Sequence, residues 1–230
     1  MMYNKKTIFK MILNEIDRIQ DFEYFVNEYI GVELYKHQKD MCDLIECGNK
    51  FNIIGKPRQC GVSQLIAWKL AHLLLLGKSI NIGFIGCNLH ITHDMRDRVY
   101  NILTDLVDDS NINSSKIRIE CLMANVHFGT PNNYFFKAKT FDLIIFDEFS
   151  FYADDFSFND SLSSLNANGR VIITTGNYRN NYYAAKLLDG LNANRIILNW
   201  YDIDEPNYLS GVAASRRYLS KSQFESEYEF

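Results

Sequence analysis

The chain has 230 residues, is 47% apolar with three prolines, and carries a formal net charge of -4. This length and composition suit one folded domain and exclude a disordered tail, and the charge gives no sign of a uniformly basic nucleic-acid surface, though local basic patches stay open. The longest apolar stretch, Leu70 to Leu76, is broken by His72 and falls far short of the roughly 20 residues that span a bilayer, so no membrane partner is expected.

In chain order, the N-terminal MMYNKKTIFKMILNEIDRI reads as an amphipathic helix rather than a signal peptide, because Glu15 and Asp17 interrupt it and no small-residue cleavage site follows. The first 48 residues read as two or three helices ahead of the first strand. Beyond them, short β-branched apolar runs alternate with segments of helical period, which is the pattern of α/β layering around a largely parallel sheet. The predicted strands are Phe51 to Ile54, Ile80 to Ile85, Ile117 to Cys121, Leu143 to Phe146, Val171 to Thr175 and Arg195 to Asn199. The predicted helices are Ser63 to Leu76, His90 to Leu106, Phe156 to Leu165 and Tyr182 to Leu188. No repeat or low-complexity linker separates them.

The segment from Gly55 through Lys56, Pro57, Arg58, Gln59, Cys60, Gly61 and Val62 to Ser63 leads from the first strand into a long helix, the context that a phosphate-binding loop requires. Against G-x-x-x-x-G-K-[ST], Gly61 and Ser63 fit, whereas Lys56 stands at the first glycine and Val62 at the lysine. Phosphates need an ammonium within reach and backbone N–H groups at a helix N-terminus, so Lys56 can act from the loop's opening side. Arg58 adds a guanidinium suited to bidentate phosphate or carboxylate contacts. The alternative reading is an ordinary strand-to-helix turn with two basic residues.

Further on, Phe141-Asp142-Leu143-Ile144-Ile145-Phe146-Asp147-Glu148 is an apolar strand ending in two carboxylates. Walker B strands have this form: Asp147 would hold a magnesium ion and Glu148 would orient or deprotonate the attacking water. A solvated acidic turn is the alternative. The next strand ends in Thr174-Thr175-Gly176-Asn177, whose polar groups can sense a γ-phosphate or form an unremarkable turn. Five cysteines without a C-x-x-C pair fit neither a disulfide framework nor a zinc site and point to a reducing cytosol. Cys60 reads as an apolar filler, and His90, His93, Asp94 and Asp97 as an exposed helix start rather than a metal face. Phe149, Phe151, Tyr152, Phe156 and Phe158 read as a packed loop and helix, and Asp202, Asp204 and Glu205 as a solvated loop.

Taken together, these motifs resemble the ATPase domain of the large terminase subunit of tailed bacteriophages, the motor that packages DNA into proheads. Upstream, Asp21 to Ile30 followed by Leu34-Tyr35-Lys36-His37-Gln38-Lys39-Asp40-Met41 looks like that family's N-terminal segment and its adenine-recognising glutamine motif. By this resemblance Gln38 reads the adenine edge, with His37 where the family has an aromatic residue. The loop from Lys56 to Ser63 looks like the family's deviant phosphate loop with the lysine moved to its start. The resemblance implies a three-layer P-loop NTPase of the ASCE or RecA-like type, with a mostly parallel central sheet. Residues 1–48 would be a helical segment with the adenine motif and residues 49–230 the ATPase core.

ATP and Mg2+ are the implied cofactors. The implied catalytic residues are Glu148, Lys56 and Arg58. Gln38, His37, Gly55 through Ser63, Thr175 and Asn177 would bind nucleotide, and Ser63 and Asp147 would hold the metal. Implied partners are double-stranded DNA, the portal protein, the small terminase subunit and further copies in a ring, in the host cytoplasm. The stretch GTPNNYFFKAKTF lacks the family's arginine-glycine pair, and no nuclease domain is expected in this chain, whose last helix reads as Ser222 to Glu229. Two other readings are a helicase-like DNA translocase and a degenerate nucleotide-binding assembly module.

Overall fold

The computed structural model describes residue 15 and residues 17–137, 139–152, 158–179 and 181–230. They fall into two compact units, one up to Leu34 and one from Tyr35 to Phe230. Most of the expected N-terminal amphipathic helix lies outside the described residues; residues 15 and 17–19 are helical. In the first unit, α1 (Phe22–Phe25) is capped by Asp21, whose carboxylate accepts the Tyr24 N–H at 3.0 Å. It continues as a π-helical turn, Val26–Ile30, that stops at Gly31 with φ 75°, a left-handed conformation suited to glycine.

The second unit opens with α2 (Lys36–Glu46), β1 (Phe51–Gly55), α3 (Val62–Leu75), β2 (Ile80–Gly86) and α4 (Leu89–Leu106). Then come β3 (Ile112–Ser114), β4 (Arg118–Cys121), β5 (Ala124–Gly129), α5 (Asn133–Phe136) and β6 (Phe141–Asp147). It closes with α6 (Phe158–Leu162), β7 (Leu165–Thr175), α7 (Tyr182–Gly190), β8 (Asn194–Ile197), α8 (Pro206–Tyr218) and α9 (Lys221–Tyr228). The strands form one sheet in the order β3-β4-β5-β2-β6-β7-β1-β8. All pairings from β5 across to β8 are parallel, and β3 and β4 add an antiparallel edge.

Both faces of this sheet are covered, which is why β6 reads as a continuous apolar run rather than an alternating one. On one face Ile53, Ile85, Ile144, Phe146, Val171 and Ile173 pack with side chains of α5, α6 and α7. Helices α2, α3 and α4 contact the strands elsewhere, α2 on β1 and β8, and α3 and α4 toward β4 and β5. Helix α3 also packs on α4, so its side chains are buried nearly all round and it lacks a polar stripe. The expected three-layer α/β architecture with a mostly parallel sheet is present.

Four elements depart from the sequence reading. Strand β5 is absent from the predicted set, although its residues alternate between buried and part-exposed; Asn125 and His127 interrupt its apolar run. Strand β3, three residues long, gives no periodic signal at all. Leu165, read as a helix end, starts β7 instead: it pairs with Phe141 across an irregularity in the β6–β7 register. The described part of that predicted helix is α6; Phe156 lies outside the described residues. Finally, Glu205 is not merely a loop acid, because its carboxylate caps the unpredicted α8 by accepting the Asn207 and Tyr208 N–H groups, with Pro206 at the first turn.

Candidate functional site

In an open parallel sheet, ligands bind beyond the carboxyl ends of the strands. Here β1, β6 and β7 end side by side in Gly55, Asp147 and Thr175, with β7 lying between the other two. The register that pairs Phe146 with Ile173 brings the next residues, Asp147 and Thr174, together one step further on. The Thr174 hydroxyl donates to the Asp147 carboxylate, and the Glu148 N–H donates to the Thr174 oxygen at 3.4 Å. Thr175 Oγ1 accepts the Ser150 N–H at 3.1 Å, and the Thr175 carbonyl accepts the Lys56 N–H at 2.9 Å. Strand β7 therefore ties the loop between β1 and α3 to the acidic strand end.

The Lys56 ammonium reaches across this tip and forms an ion pair with Glu148 Oε1. Lys56 is 8% exposed and Asp147 2%, so both charges are shielded from water and interact strongly. Burial disfavours the ammonium, but Glu148 and Asp147 outweigh it and hold the Lys56 pKa above its ordinary value. Burial also pushes the Asp147 carboxyl up, with Lys56 opposing. Cys87, just past the end of β2, is pushed up to about 11 by burial and by Glu148 and Asp147.

Two backbone positions here are strained. Among the described residues, the non-glycine residues with positive φ are Gln59, Leu122 and Glu148, and two of the three belong to this site. Glu148 sits at φ 56° and ψ 48°, which turns its side chain back toward the loop. Such outliers cluster at functional sites, where the surroundings over-determine them. Gly61, at φ 84°, caps α3 in the left-handed conformation, and Ser63 lies in the first turn of that helix.

A cavity of about 580 Å³ opens at this edge, lined by Lys56, Arg58, Glu148, Ser150, Asn177 and Glu227 among others. The structure thus brings together Lys56, Arg58, Glu148, Gly176 and Asn177 as the sequence implies. Ser150, Asn181, Ser226 and Glu227, which also line it, carry no motif signal. Phe151 corrects an expectation: Phe149, Tyr152 and Phe158 are packed, but Phe151 is 72% exposed and lines the cavity. His37 and Gln38 do not line it. Gln38 Oε1 accepts the Tyr35 N–H at 3.0 Å, and its Nε2 lies 2.9 Å from where a Cβ on Gly61 would stand. His37 Nε2 lies 3.2 Å from the Cys60 carbonyl, its ring is stacked on Tyr35, and burial lowers its pKa.

Cys60 is buried, as a filler would be, and Val62, at the usual lysine position, is buried as well. His90, His93, Asp94 and Asp97 are not drawn into the site; His90, His93 and Asp97 are exposed, and Asp94 pairs with Arg98 and Asp97 with Arg96. Among the described residues no group of three metal-ligating side chains occurs. No helix there is long and apolar enough to cross a membrane.

Compared with solved structures, the chain superposes on the large terminase ATPase domain of Thermus phage P74-26 with a TM-score of 0.67 at 14% identity, covering 88% of this chain and 95% of that one. The fold is that of a terminase ATPase domain. The large terminase of bacteriophage HK97 matches with a TM-score of 0.65 at 12% identity, over 92% of this chain and 54% of that one. A large terminase from a thermophilic bacteriophage, in complex with ADP, matches with a TM-score of 0.58 at 11% identity, over 84% of this chain and 52% of that one. The chain spans about half the length of these last two proteins. No protein-family model and no curated protein matches it.

Proposed function

We propose that this chain binds and hydrolyses ATP with magnesium, and that hydrolysis drives double-stranded DNA into a viral prohead. The observation that carries this reading is the meeting of Lys56 with Glu148 above the tip of β7, beside buried Asp147. It supplies the ammonium that the loop lacks at Val62, and sets it next to the two carboxylates such a reaction uses. The likeness of the fold to terminase ATPase domains supports the packaging role.

The donor set suits magnesium, which favours hard oxygen ligands and keeps several waters: the Ser63 hydroxyl and the Asp147 carboxylate are both oxygen donors. Ser63 and Asp147 would hold the ion, which would supply charge neutralisation to the polyphosphate. The chain's own residues do the rest. Loop amides between Gln59 and Ser63 cradle the phosphates, because the Lys56 and Arg58 N–H groups are held by the Thr175 and Glu227 carbonyls and Pro57 has none; Lys56 and Arg58 act as counter-charges. Polyphosphate draws Lys56 from Glu148, whose carboxylate is then free to orient and deprotonate water. Thr174 holds Asp147, while Thr175 and Asn177 sense the γ-phosphate. Gln38 and His37, buried against Gly61 and Cys60 beside the cavity rather than in it, are the proposed adenine readers, with Tyr35 next to them.

Double-stranded DNA, a portal protein, a small terminase subunit and a ring of further copies are the partners this role entails, in the host cytoplasm. Steady-state hydrolysis of ATP, measured with and without DNA in wild type and Glu148→Gln, tests the reading; equal rates in both would sink the role of Glu148. Val62, buried where a lysine would stand, favours a second reading, a nucleotide-binding assembly module. That reading wins if ATP binds but is not turned over in assembled rings with DNA. Strand displacement without a prohead would point instead to a helicase-like translocase.

A further inference from the structure

Helix α9 delivers a carboxylate to the phosphate loop. The Arg58 N–H donates to the Glu227 carbonyl at 2.9 Å, and Arg58 Nη1 donates to Glu227 Oε2 at 3.1 Å. Ser226 and Glu227 line the same cavity as Lys56 and Glu148. Each cation of the loop is therefore joined to an acid, Lys56 to Glu148 and Arg58 to Glu227.

We propose that Glu227 competes with nucleotide phosphate for Arg58, so that it sets nucleotide affinity and couples α9 to occupancy of the loop. This rests on the reading of the loop as a nucleotide site. Carboxylate and phosphate take the same guanidinium donors, and Glu227 Oε2 already holds Arg58 Nη1, so a phosphate that engages this donor displaces Glu227. The Arg58 side chain is 61% exposed and that of Glu227 33%. A pair so open to water is weak, and a polyphosphate with more charge displaces it.

Displacement frees the loop-facing side of α9 without unfolding it. Tyr228 and Phe224 pack with Val212 of α8 in a small core of their own, edged by Trp200, Tyr208 and Leu219. The chain beyond α9 stays on the same edge of the sheet: Asn177 Nδ2 donates to the Glu229 carbonyl at 2.9 Å and the Phe230 N–H to Asn199 Oδ1 at 2.8 Å. The Phe230 ring lies against Gly55, where an added Cβ would stand 2.8 Å from its Cζ. Helix α9 thus touches the phosphate loop at Arg58, and the segment after it touches the tip that follows β7 at Asn177.

The test uses the whole chain with magnesium and the slowly hydrolysed analogue ATPγS. Glu227→Gln keeps the shape and removes the charge, so it binds ATPγS about three- to fivefold more tightly than wild type, the range expected from losing one exposed ion pair. A general charge effect would give the same gain without Arg58. Competition predicts that Arg58→Ala and the double variant Arg58→Ala/Glu227→Gln bind alike. Amide exchange at Arg58, whose N–H donates to the Glu227 carbonyl, speeds up on adding ATPγS to wild type and is already faster in Glu227→Gln. Unchanged or weaker binding by a folded Glu227→Gln, or a gain that survives in the double variant, overturns the competition while leaving the nucleotide site standing. Absence of ATPγS binding to wild type overturns both. Glu227→Asp, with a shorter reach, is the second variant and gives an intermediate gain.

Discussion

Lys56 and Glu148 are 92 residues apart in the chain and bound to each other at the mouth of one cavity. In the sequence they belong to separate motifs, one read as holding phosphate and the other as activating water. Their contact means that nucleotide binding and the release of the catalytic carboxylate are one event in the proposed site.

Lys56→Ala therefore abolishes ATP turnover, while Val62→Ala leaves it nearly intact. Val62 is 1% exposed, so its truncation costs roughly 1–2 kcal/mol of stability by the transfer value of buried methyl groups. Initial rates measured well below the unfolding temperature separate the two effects. Comparable activity of the two variants would refute the relocated lysine.

Glu148→Gln lowers turnover by about 10²–10⁴-fold, the usual contribution of a general base, yet retains nucleotide binding because Lys56 is released from its ion pair. Calorimetric titration with ATPγS beside a phosphate-release assay reads both quantities. Loss of binding together with turnover would show that Glu148 holds the loop together instead.

Thr174→Val leaves a buried carboxylate without the hydroxyl that donates to it. A lost partner at a buried polar group costs about 1–3 kcal/mol. Urea denaturation should show that loss, and Thr174→Ser should recover most of it.

Gln38→Ala weakens ATP more than GTP if the side chain reads the adenine edge, which is the expected result. Parallel titrations with both nucleotides decide it. Equal weakening would reassign Gln38 to bracing Gly61, against which its amide already lies.

His127 provides a pH signature of the sheet. It stands on β5 between Gly83 and Arg118 and meets Phe141 edge-on at 5.9 Å. Burial, then Lys139 and Arg118, lower its pKa to about 4. A depressed histidine stays neutral when folded but takes a proton when unfolded below its ordinary value of 6.5. Stability is thus full above 6.5 and falls as pH drops toward 4. Urea midpoints measured from about pH 7 down to about pH 5 should fall in wild type and fall less in His127→Gln.

The parts of the site that are legible in the sequence are those tied to strand ends. Gly55, Asp147 and Thr175 each follow an apolar run, and such runs are visible because both faces of the sheet are covered. What escapes has a different origin. Phe151 and Asn181 lie on connections whose course depends on tertiary contacts, and Asn181 is placed by donating to the Ser150 and Tyr152 carbonyls. Glu227 comes from a helix whose position is set by a few aromatic contacts with α8. Strand β5 is hidden because polar Asn125 and His127 fall within it, each at a part-exposed position of its alternation.

The interposed strand β7 fixes a dimension. With neighbouring strands about 4.8 Å apart, β1 and β6 stand about 10 Å from each other, so the Lys56 side chain has to cross the end of β7 to reach Glu148. That span is set by backbone hydrogen bonds rather than by side-chain choice. A shorter cation at position 56 falls short of the acid, and the gap itself changes only if β7 slides or leaves the sheet.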